Sequence, residues 1–196
     1  MRHRFLPLVM MLLLAAAVQA QPSTTEVATV ASVDVDRYAG KWYEVARFPT
    51  WFQTKCAGDV SADYRKLDDG SLEVVNRCRK ADNTFEQAVG QAVIVDPASN
   101  AKLKVRFVPA WLSWLPRVWG NYWIIALAPD YSYSVVGDPS REFLWLLART
   151  PTLPEPVYQQ AVQQAAKQGF DVTKLVKTQQ RLPANVLKAS AEVGKQ

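Results

Sequence analysis

The sequence predicts an all-β protein, an antiparallel sandwich or barrel followed by one helix. Short segments alternate apolar and polar residues with a period of two. Turn residues separate them about every ten positions, and one segment of helical spacing follows the strands. The cleanest alternation is "KLKVRF", which sets Leu103, Val105 and Phe107 on one face and Lys102, Lys104 and Arg106 on the other.

In chain order, "MRHRFLPLVMMLLLAAAVQA" comes first. Arg2 and Arg4 form a basic end, Leu6 to Ala17 an apolar run, and Val18-Gln19-Ala20 a small-residue cleavage site. Residues 1–20 therefore read as a secretory signal peptide. Their apolar run is shorter than the ~20 residues a membrane span needs. No cysteine follows the cleavage site, so an exported chain that is not a lipoprotein is expected. Residues 21–33 are small and polar and read as a flexible leader.

"VSADYRKL" alternates Val60, Ala62 and Tyr64 against Ser61, Asp63 and Arg65. "DDG" at 68–70 signals a hairpin into "SLEVVNRCR". Beyond "KLKVRF" lies "VPAWLSWLPRVWGNYW", residues 108–123, with four tryptophans and the single charge of Arg117. Pro109, Pro116 and Gly120 interrupt it, and a proline inside a helix costs ~3 kcal/mol. A loop from Val108 to Gly120 between two strands accounts for it better than a membrane helix. "YWIIALA" and "FLWLLAR" read as strands covered on both faces. Thr152-Leu153-Pro154-Glu155 has the spacing of a capping box. Val157, Ala161 and Ala165 form a narrow apolar stripe, and Gly169 stops the helix.

Composition narrows the chemistry. The formal charge of +5 falls by two once Arg2 and Arg4 leave, too mild and scattered for nucleic acid but compatible with weak attraction to an anionic membrane. Cys56 and Cys78 form an isolated pair that an oxidising compartment turns into a disulfide. The single histidine, His3, leaves with the signal peptide. Histidine-dependent nucleophilic catalysis and histidine-ligated metal sites fall with it. No metal and no cofactor are expected.

"GKWYEVARFP" at 40–49, after the turn "DVDRYA", resembles the first signature of the lipocalins, with Gly40 and Trp42 in its Gly-x-Trp. The second signature appears in altered form as Asn121-Tyr122-Trp123, and the third as Arg149 ending "FLWLLAR". The resemblance covers about residues 34–180 and is strongest to bacterial lipocalins and their apolipoprotein D and plant temperature-induced relatives. It implies an eight-stranded antiparallel up-and-down β-barrel, closed at one end, with the C-terminal α-helix packed outside and residues 181–196 as a tail. Arg149 would lie over the Trp42 ring, a cation–π contact of ~0.5–2 kcal/mol.

Alternation in such a barrel turns Val60, Ala62, Tyr64, Phe107 and Trp145 inward. Resemblance adds Asn76 and Trp123 as pocket positions, although local alternation decides neither. Glu44, two residues after Trp42, also turns inward, either as a satisfied structural acid or as an anchor for a ligand head group. The resemblance implies a carrier of fatty acids or lysophospholipids serving lipid transport, storage or envelope maintenance. Its expected location is the periplasm of a Gram-negative bacterium, or the secreted space. A lipocalin-fold enzyme acting on a lipid and a small outer-membrane barrel are the competing classes. The latter needs a lipid-facing apolar exterior, which the outward lysines and arginines do not supply. Trp111, Leu112, Trp114, Leu115 and Trp119 are expected to form a lip that touches a membrane, folds back as a lid, or pairs two copies as a homodimer.

Overall fold

In the computed structural model, which describes residues 26–181, the alternating segments pair edge to edge until the sheet closes on itself. The strands are β1 (Gly40–Arg47), β2 (Gly58–Lys66), β3 (Leu72–Arg79), β4 (Phe85–Ile94), β5 (Lys102–Arg106), β6 (Gly120–Leu127), β7 (Tyr133–Gly137) and β8 (Leu144–Ala148). Each pairs antiparallel with the next, and β1 joins β8 to β2. The result is an eight-stranded up-and-down barrel. A short β9 (Val176–Lys177) adds to β1. α1 (Val35–Tyr38) lies before the barrel and α2 (Glu155–Lys167) after it.

Two strands escaped the alternation reading, for different reasons. All five positions of β7 are buried, because the barrel interior covers one face and α2 the other. β4 carries Ala88, Gly90 and Ala92 on one face, so its apolar contrast is faint. Tyr158, Ala161 and Ala165 of α2 pack over Ala126, Val135 and Leu146 in a core outside the barrel. A second core, around Trp42, Tyr64, Leu72 and Leu103, fills the barrel's lower interior.

Three expectations are corrected. The cap residue of α2 is Pro154, with no side-chain cap. Glu155 turns instead to Gln159 and Lys177, so the capping box is not formed. At the other end, Phe170 N–H reaches Ala165 O and Gly169 N–H reaches Ala166 O, with Gly169 at φ +82°. This is the glycine stop the sequence announced. The leader is ordered where it is described: Val27 is buried against α2, Val33 beneath the barrel, and Val30 N–H bonds Ile124 O. The three valines, spaced by three among small polar residues, are what anchors it. Ser61 and Arg106, expected in water, are both only 9% exposed. Arg106 lies beneath Trp119, 5.2 Å from its ring centre. The signal peptide at 1–20 and the tail beyond Arg181 lie outside the described residues.

Odd-numbered strands of the barrel run from its closed end to its mouth. Loops 48–57, 80–84, 107–119 and 138–143 therefore gather at the mouth. β1 pairs β2 only from Gly40 to Tyr43; above that the two separate. The C-terminal segment fills the gap, with Thr178 N–H on Val45 O, Asp59 N–H on Gln179 O, and the Gln180 amide donating to both Glu44 O and Val60 O. Cys56 and Cys78 are bonded, their Cα atoms 5.5 Å apart, which fastens loop 48–57 to β3. A disulfide closing a loop of this length adds ~2–4 kcal/mol.

Candidate ligand site

The closed end is a stack built on Trp42. Asp34 caps α1 through the N–H groups of Asp36 and Arg37, which presents the Tyr38 carbonyl to the Trp42 indole at 2.8 Å. The Arg149 guanidinium lies 3.8 Å from the Trp42 ring centre and donates to the carbonyls of Arg37, Tyr38 and Lys41. Gly40 starts β1 at φ +86°, a conformation that favours glycine.

Above Trp42, three tyrosines make the floor. The Tyr122 hydroxyl lies 2.8 Å from that of Tyr38 and 2.9 Å from that of Tyr64, and Tyr38 reaches Ser134 at 3.1 Å. Burial pushes the Tyr38 phenol up to about 12 and raises Tyr64 and Tyr122 as well, so the floor is uncharged.

Toward the mouth the inner face opens. Asn76 sits between its cross-strand partners Ala62 and Ala88. Two alanines leave room around its amide, which has no protein partner among the described residues. Ala88 faces inward by register with Ala92, yet is exposed. Val105 and Trp145 are half-buried on the same interior. The Trp145 ring stacks on Phe143 at 5.8 Å, and Phe52 leans on both.

Trp123 is not a pocket residue. Its strand parity turns it outward, toward the outer core and the Lys102 ammonium 4.4 Å from its ring. Tyr122, one position earlier, takes the inward place, and its pairing with Leu103 was the signal that could have found it. Phe107 lies just past β5, 41% exposed at the lip, where its ring packs on the Cα of Gly90; a Cβ there would stand 2.6 Å from it. In loop 107–119, Trp111 and Trp114 are 72% and 75% exposed. Leu112 and Leu115 are half-buried. Trp119 donates its indole N–H to Ser113 O and rests on Arg106, so it braces the loop and is not part of its outer surface.

A family model described as a lipocalin-like domain matches residues 33–180. The chain is a lipocalin. It is 42% identical over 158 residues to temperature-induced lipocalin-1 of Arabidopsis thaliana, covering 79% of this chain and 83% of that protein. It is 37% identical over 181 residues to the outer membrane lipoprotein Blc of Escherichia coli K12, covering 90% and 98%. It is 31% identical over 155 residues to mouse apolipoprotein D, covering 75% and 77%. Among solved structures, insecticyanin from Manduca sexta superposes with a TM-score of 0.62 at 18% identity, over 80% of this chain and 86% of that one, which speaks for the fold alone. Membership supports a small hydrophobic ligand in the lipocalin's barrel.

Glu44 lies on the interior side of β1, but its carboxylate is held by protein groups. It is 3% exposed, and both carboxylate oxygens are occupied. Oε1 accepts from the Thr178 hydroxyl at 2.5 Å and Oε2 from the Gln53 amide at 2.8 Å. Gln53 Oε1 in turn accepts from Trp145 Nε1. Glu44 thus ties the C-terminal segment, the mouth loop and Trp145 together. Burial raises its pKa, and the hydrogen bonds from Thr178 and Gln53 and the charge of Arg47 oppose the shift. A folded-state pKa above the unfolded one contributes stability that is present at acid pH and lost as pH rises through the raised value. Glu44→Gln should therefore gain stability relative to the wild-type lipocalin as pH rises above the ordinary carboxylate range, measured by urea unfolding at each pH. A difference that stays flat, or runs the other way, contradicts the assignment.

Proposed function

We propose that this lipocalin carries a single-chain lipid, a fatty acid or a lysophospholipid, in the periplasm or the secreted space, and that its mouth touches a membrane where the lipid is exchanged. The observation that carries the reading is the change along the inner face. The lower half is packed and its hydroxyls satisfy one another, whereas Asn76, Ala88, Val105 and Trp145 leave accessible, mostly apolar wall above. An acyl chain suits such a space, since each buried CH₂ contributes about 0.8 kcal/mol. Carriage is favoured over catalysis because both buried carboxylates among the described residues are engaged: Glu44 by Thr178 and Gln53, Asp138 by the N–H groups of Ser140 and Phe143.

The membrane contact rests on the rim. Trp51, Trp111 and Trp114, all above 70% exposed, sit on two mouth loops, with exposed Arg117 beside the last two. Tryptophan favours the bilayer interface, and clustered exposed apolar groups mark a contact. The wild-type protein should float with liposomes, and Trp111→Ser/Trp114→Ser should stay in the soluble fraction with its thermal stability unchanged. If wild type stays soluble and the variant loses stability, the loop is a lid. A wild-type dimer in sedimentation that the double variant dissociates assigns the patch to a homodimer.

A further inference from the structure

In an unbroken strand, residues three apart face opposite ways. β1 is not unbroken. A bulge between Glu44 and Ala46 pairs Glu44 with Leu147 and Arg47 with Trp145, so both charged side chains face the interior. Val45 and Ala46 turn to the outer core instead.

Arg47 is left incompletely satisfied. Its Nε lies 3.2 Å from Glu44 Oε1 but is buried without a hydrogen bond. Nη1 donates over 3.3 Å to Phe48 O, and Nη2 has no protein partner among the described residues. The side chain is 16% exposed, at the inner lip of the mouth. Lys102, Lys104 and Arg106 occupy the outward register of β5, and Arg77 and Arg79 that of β3. Lys55, on the mouth loop, is paired with Glu86.

We propose that the Arg47 guanidinium binds the anionic group of the lipid, a carboxylate or a phosphate, at the inner lip of the mouth, with the acyl chain running down toward Tyr64 and Tyr122. This rests on the reading of the barrel as a lipid site. A guanidinium presents its N–H donors in a fork that fits either anion, and such charge-assisted bonds are the strong ones. The reverse orientation would strand the anion on a floor of mutually bonded, uncharged hydroxyls, where desolvation has no compensating charge. Glu44 competes weakly for Arg47, because its oxygens already serve Thr178 and Gln53 and burial favours its neutral form. Next to Arg47, the stacked Trp145 and Phe143 rings offer apolar surface to the first methylenes.

Palmitate, hexadecanol and palmitoyl lysophosphatidate share one chain length and differ in their end group. Tryptophan-fluorescence titrations of the three into wild type, Arg47→Gln and Arg47→Lys separate the possibilities. Wild type should prefer the two anions over the alcohol by about tenfold or more. Arg47→Gln should lose that preference while binding hexadecanol unchanged, which also shows that the variant is folded, and Arg47→Lys should recover part of it. Loss of one anion alone assigns the site to carboxylate or to phosphate. Equal affinity of wild type for all three, or an Arg47→Gln variant that keeps the preference or weakens all three alike, overturns the proposal and leaves the lipid-carrier reading standing. Failure of wild type to bind any of the three removes that reading itself.

Discussion

Replacing Trp42 with alanine is expected to lower the free energy of unfolding by about 3–5 kcal/mol. The indole is fully buried, donates to the Tyr38 carbonyl, lies tilted against the Tyr38 ring with centres 4.9 Å apart, and carries the Arg149 guanidinium 3.8 Å from its ring centre. Truncation removes all of these at once and opens a cavity beneath the floor. Because a domain has only about 5–15 kcal/mol in total, the variant should unfold near physiological temperature. Arg149→Met keeps the volume and loses the charge. It should cost less, the ~0.5–2 kcal/mol of the cation–π contact plus the exposure of three carbonyls to poorer partners. Guanidinium unfolding of both variants checks the ranking. A loss below about 1 kcal/mol in Trp42→Ala contradicts the closed-end stack as a main source of stability.

The second large effect is on binding. Ala88→Trp places an indole on the inner wall opposite Asn76, where the backbone faces open space. It should fold with unchanged stability and weaken lipid binding by at least tenfold, about 1.4 kcal/mol. The readout is displacement of a fluorescent fatty acid. Unchanged affinity with intact fold would place the ligand outside the barrel.

Most of the barrel was readable because a closed sheet must alternate. β2, β3 and β5 have a wet face and an apolar face, and the hairpin at Gly70 needed only its turn signal. The stripe and stop of α2, and the Cys56–Cys78 pair, were equally legible. What failed has two physical causes: bulges break the residue count on which alternation rests, and some partners arrive from distant segments. The bulge at Val45 turns Arg47 inward, and another between Ile124 and Ala126 shifts the register of β6. Resemblance offered Trp123 as a pocket position, which local alternation did not decide; pairing with β5 turns Trp123 outward and Tyr122 inward. Arg106 looked like a solvent charge because nothing local announces that a loop thirteen residues on will lay Trp119 over it. The partners of Glu44, Gln53 and Thr178, come from a mouth loop and the C-terminal segment, one of them 134 residues away. No local signal reports contacts at that distance.

On this reading the open half of the barrel holds one single-chain lipid. Native mass spectrometry of the protein and of Ala88→Trp, each incubated with palmitate and stripped of excess, tests it most directly. One lipid should stay bound per wild-type chain, resistant to gentle activation, and the variant should be empty. A wild-type chain that stays empty, or a variant that retains the lipid to the same extent, would contradict it.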